Sequence, residues 1–152
     1  MAVGNVILFD SFKEWMGDNT IDMDADAFKV QLHTSTFVPN IGTMTVRADL
    51  TNELTTQFGY TVGGAALGTP TWVKSGSTVT FDGDDVVWNA AGGDIVARYA
   101  VIYDDTTAAP LDALVGYVLL DTTPGDVTAV DGNPLTIQWN ASGILTLSGA
   151  IS

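Results

Sequence analysis

The chain has 152 residues and a formal net charge of -13, from 18 Asp plus Glu against five Lys plus Arg, with 46% hydrophobic residues, 15% charged residues and no Cys. That length suits one compact domain spanning residues 1–152 and burying roughly 70% of its extended-chain surface, and a mean hydropathy of +0.25 with so few charges argues against disorder. Five scattered cations (Lys13, Lys29, Arg47, Lys74 and Arg98) cannot neutralise a row of phosphates, so nucleic acid and anionic membrane surfaces are poor partners; the missing Cys removes disulfide frameworks and thiolate metal sites.

No apolar run approaches the ~20 residues that a spanning helix needs, and the 6–9 stretch is too short for a signal-peptide core, so a soluble chain without an export signal is expected. Along the first segment Val6, Ile7, Phe9, Phe12, Trp15 and Met16 recur at mixed three and four spacing, which predicts a short amphipathic helix over 10–16 with Gly17 as its C-terminal cap. The period then falls to two. Phe28, Val30 and Leu32 alternate with Lys29, Gln31 and His33, which predicts a strand with one wet face. A second short helix is possible over 46–54, where Val46, Leu50 and Leu54 lie four apart, although Thr51, Thr55 and Thr56 weaken it. After the glycine-broken stretch 59–68, alternating runs rich in Val, Thr, Ile and Trp predict strands at 69–74, 78–81, 94–103, 115–120, 135–139 and 144–147. Turn sequences such as Ser75-Gly76-Ser77, Asp82-Gly83-Asp84 and Asp131-Gly132-Asn133-Pro134 separate them. The fold class that follows is mainly β: an antiparallel β-sandwich or barrel with one short N-terminal helix.

The residues offer little chemistry. Asp22, Asp24 and Asp26 are spaced like the opening of a calcium loop, but Ala27 stands where the sharp turn needs Gly and His33 where a bidentate Glu belongs. The alternation with Ile21, Met23 and Ala25 reads better as an acidic edge facing water. Asp82, Asp84 and Asp85 around Gly83 could cradle a hard cation, yet Asp-Gly is a turn former first. His33, the only imidazole, is expected to be solvent-facing or satisfied rather than a catalytic base. No carboxylate pair stands out for glycoside hydrolysis, and Gly63-Gly64 and Gly92-Gly93 read as bends rather than phosphate loops. Trp72, Trp88 and Trp139 could stack on sugar rings, although core or interface positions are preferred. No catalytic, cofactor-binding or metal-binding residue is assigned. Arg98, a lone cation on a Val, Ile and Tyr strand, is expected to be structural and to find a carboxylate, the 82–85 turn being one source.

Taken in order, several segments resemble a family of small structural proteins of tailed-bacteriophage virions. That family has a front helix, then a strand close to phenylalanine, lysine, leucine, alanine, leucine, tyrosine, threonine, serine, serine. The counterpart here is Phe28-Lys29-Val30-Gln31-Leu32-His33-Thr34-Ser35-Thr36. An asparagine-glutamate pair leading to glycine-tyrosine-threonine and a double glycine is matched by Asn52-Glu53-Leu54 and Gly59-Tyr60-Thr61-Val62-Gly63-Gly64. An aspartate-bearing strand ending in Trp is similar to the segment from Phe81-Asp82 to Trp88. Another, carrying alanine-arginine and ending in Tyr, is similar to that from Ile95 through Ala97-Arg98 to Tyr103. The closing pair resembles Leu135-Thr136-Ile137-Gln138-Trp139 and Gly143-Ile144-Leu145-Thr146-Leu147. The chain departs from the pattern at Gln57-Phe58 and, within the first strand, at Val30, Gln31 and His33.

The resemblance implies a virion component without catalytic residues. Head exterior, as a capsid decoration or cement protein, is preferred over a tail-associated or head-fibre protein, and over a carbohydrate-binding module for host adsorption. The partners so implied are the major capsid protein or other virion proteins, with a homo-oligomer expected from a chain of low charge density. A charge of -13 is incompatible with lining packaged DNA and favours an outward position, with acid-rich turns facing water. Both chain ends are expected to be held by packing or by neighbours.

Overall fold

The computed structural model describes residues 2–149; the expectation about the chain ends falls on Met1 and residues 150–152, which lie outside the described residues. A two-residue strand, β1 (Ile7–Leu8), leads directly into the helix α1 (Asp10–Gly17). The helix buries Phe12 completely and rests Trp15 and Met16 against the core, as the three and four spacing predicts. Its end differs from expectation. Gly17 is the last helical residue, Asp18 donates its N–H to Glu14 O at 3.0 Å, and the left-handed residue beyond is Asn19 with φ of 65°. An amide side chain tolerates that conformation, so glycine is not needed there.

The remaining regular structure is strand: β2 (Phe28–His33), β3 (Ala65–Ala66), β4 (Thr71–Ser75), β5 (Thr78–Asp82), β6 (Val86–Asn89), β7 (Ile95–Ala97), β8 (Tyr99–Asp104), β9 (Leu114–Leu119), β10 (Val127–Ala129), β11 (Pro134–Ile137) and β12 (Leu145–Ser148). All their pairings are antiparallel. A five-stranded sheet runs in the order β1-β9-β8-β2-β3, a three-stranded sheet in the order β12-β5-β4, and β7 with β10 and β6 with β11 form two ribbons. The result is mainly β and sandwich-like; the sheets do not close into a barrel.

The short strands β1, β3, β6 and β10 lie outside the predicted runs, and three predicted elements take another form. The predicted run 94–103 is two strands, β7 and β8, because the chain changes sheets at Arg98: β7 pairs with β10, whereas β8 pairs with β2 and β9. The possible helix 46–54 reduces to a 3-10 turn at Arg47–Asp49, after which Leu54 donates to Leu32 O at 2.9 Å and His33 bridges Glu53. Its Thr-rich second half thus serves as an extra edge on β2, and the spacing of Val46, Leu50 and Leu54 is coincidental. Finally, the expected wet face of β2 is wet only at Lys29, whose side chain is 37% exposed. Phe28, Val30 and Leu32 point into the main core with α1, β6, β8, β9 and β11, while Gln31 and His33 on the other side are buried as well. That second side is roofed by residues 37–54, and Phe9, Phe37, Val101, Tyr103 and Leu114 make a smaller core beneath the roof. The central sheet is therefore covered on both faces, a place where alternation in sequence no longer reports exposure.

Candidate functional site

The roof over β2 traps a connected set of polar side chains. His33 has no solvent exposure; its Nδ1 lies 2.8 Å from Thr51 O and its Nε2 lies 2.7 Å from Gln31 Nε2. A carbonyl oxygen only accepts, so Nδ1 carries the proton and Nε2 accepts from the Gln31 amide. Gln31 Oε1 then accepts from Arg47 Nε at 2.9 Å. The Arg47 guanidinium also faces Glu53 at 3.5 Å and Asp112 at 3.8 Å, and stands over the Tyr103 ring at 5.4 Å. Tyr60 completes the set, accepting from Leu32 N–H at 3.1 Å while donating to Glu53 Oε1 at 2.8 Å. Burial pushes the Tyr60 hydroxyl far above its ordinary value and the Tyr103 hydroxyl up to about 12, so both stay protonated donors.

Two clefts flank Glu53. One, of about 440 Å³, is lined by Arg47, Leu50, Leu111 and Asp112; the other, of about 270 Å³, by Phe58, Tyr60 and Ile95. Within this network the imidazole has both nitrogens engaged, one on an amide and one on a carbonyl, and its ring lies 4.4 Å from that of Phe37. The arrangement orients backbone and closes the roof; no hydroxyl nucleophile is hydrogen-bonded to His33. Burial lowers the His33 pKa, opposed by its bond to Thr51 and the charge of Glu53 and assisted by Arg47. Folding therefore favours the neutral ring. Its contribution to stability is present above the ordinary value of 6.5 and is lost as pH falls through the lowered folded value. A ring-proton titration followed by NMR is expected to give a midpoint below 6.5 in the folded protein. A midpoint above it would contradict the network as described.

The acidic segments separate into different roles. Residues 21–26 form turns rather than a strand edge: Ile21 and Met23 are buried, Asp24 is exposed, and Asp22 Oδ1 accepts Asp24 N–H at 3.0 Å. Asp26 departs from the expected water-facing row, because its carboxyl is half-buried and turned against Asp104. Asp104 itself was not singled out by sequence reasoning. It ends β8, has no solvent exposure, and burial pushes its carboxyl up to about 7, with the hydrogen-bonded Asp26 carboxyl adding to the rise. Around Gly83, Asp84 accepts from Thr69 Oγ1 and, through its carbonyl, from Trp139 Nε1 at 3.1 Å, while Asp85 Oδ1 accepts Trp139 N–H at 3.1 Å. These carboxylates tie loops together. Among the described residues, no group of three or more His, Asp or Glu side chains is placed to share a metal ion.

Trp88 and Trp139 are 5% and 7% exposed, so neither offers a ring face to a sugar; Trp72 is half-buried against the same core. Arg98 does find a carboxylate, but it is Asp126, at 2.9 Å, and not one of the 82–85 turn. The two side chains are 26% and 41% exposed, so water screens the pair. Arg98→Ala is expected to cost under about 1 kcal/mol in a urea unfolding series, far from the loss that a buried pair would show.

The least satisfied surface lies on the three-stranded sheet. On its core-facing side Trp72, Phe81 and Leu145 form one cross-strand row, and Lys74, Val79 and Leu147 form the next. The first row packs into the core; in the second, Val79 is half-buried, Leu147 is 49% exposed and Lys74 is exposed. On β5 and β12 the apolar side thus runs on past the core, with Lys74 at its β4 edge. Val73, 57% exposed, adds to the outer side of β4. Comparison with protein-family models, with characterised proteins and with solved structures gave no match for this chain.

Proposed function

We propose that the chain is a structural protein of a tailed-phage virion, a decoration protein on the outer surface of the head that stabilises the shell by adding contacts between capsid subunits. Sequence support comes from the segments that resemble such a family in order over most of the chain, from about Phe12 to Leu147. One structural observation carries the mechanical part: the three-stranded sheet of β4, β5 and β12 leaves Leu147, 49% exposed, and Val73, 57% exposed, uncovered by the molecule's own core, beside the half-buried Val79. Burying such a patch against a neighbour is worth ~25 cal/mol per Å² before the costs of association. Repetition on a closed lattice turns weak single contacts into a strong sum. The same surface serves self-association, so the protein acts as a homo-oligomer or as part of a larger assembly. Its charge of -13 keeps it away from packaged DNA.

The test is made on particles. Mass-spectrometric stoichiometry of purified virions is expected to give hundreds of copies, and particles lacking the protein are expected to melt at lower temperature and burst at milder osmotic shock. A handful of copies per virion would instead point to the tail or to head fibres. Unchanged melting with lost adsorption to host cells would move the protein to the carbohydrate-binding role.

A further inference from the structure

The outer edge of β4 carries a hydrogen-bonding pattern that no strand among the described residues meets. Ser75-Gly76-Ser77-Thr78 is a two-residue hairpin turn, with Gly76 at φ of 59°, and such a turn closes on a hydrogen-bonded pair, here Ser75 with Thr78. Alternation then turns the N–H and C=O of Thr71 and Val73 toward β5 and those of Trp72 and Lys74 outward, two donors and two acceptors at an open edge. The side chains alternate as well: Trp72 and Lys74 stand on the core-facing side of the sheet and Val73, 57% exposed, on the outer side. Charge singles out the same place. Of the 18 acids only Asp82 lies in β4, β5 or β12, and the one charge on β4 is the cation Lys74. A copy of this chain, repelled elsewhere by a charge of -13, can come close here.

We propose that β4 pairs antiparallel with β4 of a second copy about a two-fold axis at Val73, a pairing that rests on the reading of this sheet as a contact surface and adds its partner and register. The two three-stranded sheets then become one of six strands. A two-fold that brings outward-turned residues opposite one another centres on Trp72, Val73 or Lys74. Centred on Trp72, it sets Lys74 against Pro70, which has no N–H. Centred on Lys74, it sets two ammonium groups face to face and Trp72 against Gly76 in the turn. Centred on Val73, it opposes Trp72 to Lys74 of the second copy twice over, and the two pairs exchange about four hydrogen bonds. An edge lysine ordinarily deters pairing, but this one meets an indole ring, an attractive partner for a cation. On the outer face the two Val73 side chains meet as a non-hydrogen-bonded pair, the closer kind, and cover each other. A two-fold contact uses up the edge it is made from, so it closes at two copies.

The full chain has no Cys, so Val73→Cys places a single thiol at the axis. Non-hydrogen-bonded partners lie about 4.5 Å apart at Cα, within disulfide reach. Oxidation of Val73→Cys is expected to give covalent dimer roughly tenfold faster than oxidation of Val38→Cys, which is 74% exposed on the roof. Sedimentation of the wild-type chain in 150 mM salt, from about 1 to 500 µM, is expected to pass from monomer to dimer. Val73→Lys, which sets like charges face to face, is expected to weaken the dimer roughly tenfold or more, and an unchanged melting temperature at the lowest concentration shows that lost pairing is not lost folding. A wild-type monomer at 500 µM, a dimer that Val73→Lys leaves intact, or equal oxidation of the two Cys variants would overturn the pairing. The particle measurements answer separately: a dimer that is absent from capsids keeps the pairing and removes the decoration reading, and a monomer that stabilises capsids does the reverse.

Discussion

At pH 8, Asp104→Asn is expected to melt on the order of 5–10 °C above the wild-type protein, an unusual result for a substitution at a fully buried position. The reason lies in the ionisation of the native carboxyl. Burial and the adjoining Asp26 raise its folded pKa from the ordinary 3.8 to about 7. The folded state therefore holds this proton more tightly than the unfolded chain, and the stabilisation so gained is fully present below 3.8 and lost as pH rises through about 7. At pH 8 the wild-type protein must carry a buried, poorly solvated charge. With each unit of pKa worth about 1.4 kcal/mol, and the shift shared with Asp26, the penalty is on the order of 3 kcal/mol. Asn keeps the Oδ1 acceptor for Thr106 and Thr107 and puts an uncharged N–H₂ donor in place of the buried Oδ2. The advantage should shrink steadily toward pH 4, where the native carboxyl is itself neutral. Equal melting at pH 8 and 4 in both proteins would show that the two carboxyls do not meet as described.

Gly64→Ala is expected to be the most damaging single-methyl change in the chain, costing more than about 3 kcal/mol or preventing folding outright. Gly64 adopts φ of 76°, and a Cβ there would overlap the Val30 carbonyl and the Cα of Gln31. Those atoms belong to the middle of β2, which is paired on both sides and packed on both faces, so they cannot retreat. Gly76→Ala is the matching control. It has φ of 59° in the β4–β5 turn but open space around the added methyl, so only the backbone preference is lost, about 1 kcal/mol. Denaturant midpoints of the two variants separate steric overlap from backbone strain.

Much of the fold is legible where one physical signal dominates. The spacing of Phe12, Trp15 and Met16 locates the helix, and the alternation of Thr, Val and Phe on either side of Ser75-Gly76-Ser77 locates the β4–β5 hairpin. Legibility fails where tertiary cover replaces water. Gln31 and His33 look like part of a solvated face because polar residues usually mean water, yet here the solvent is replaced by Arg47, Thr51 and Glu53 from a loop that local pattern cannot place. β6 is hard to see because its acidic approach, from Asp82 to Asp85, reads as a turn and only four residues follow before Ala90. The Asp26–Asp104 pair joins residues far apart in the chain, and neither spacing nor composition reports such a meeting. Arg98 was readable as a structural cation, but its partner depended on where the chain changes sheets.

The order β1-β9-β8-β2-β3 also dictates when this protein can become itself. The first strand pairs Ile7 with Tyr117 and Leu8 with Gly116, so the segment made earliest must wait for one of the last. While the chain is being synthesised, the apolar face of α1 and the core-facing side of β2 have no sheet to close on. Pairing over such separations is entropically late, which places the assembly of this domain after the synthesis of β9 and makes its folding slow for its size. During that interval β2, with Phe28, Val30 and Leu32 along one side, is an open edge. The acidic surplus then acts before any mature surface exists, since mutual repulsion among unfinished copies keeps them apart until β9 arrives.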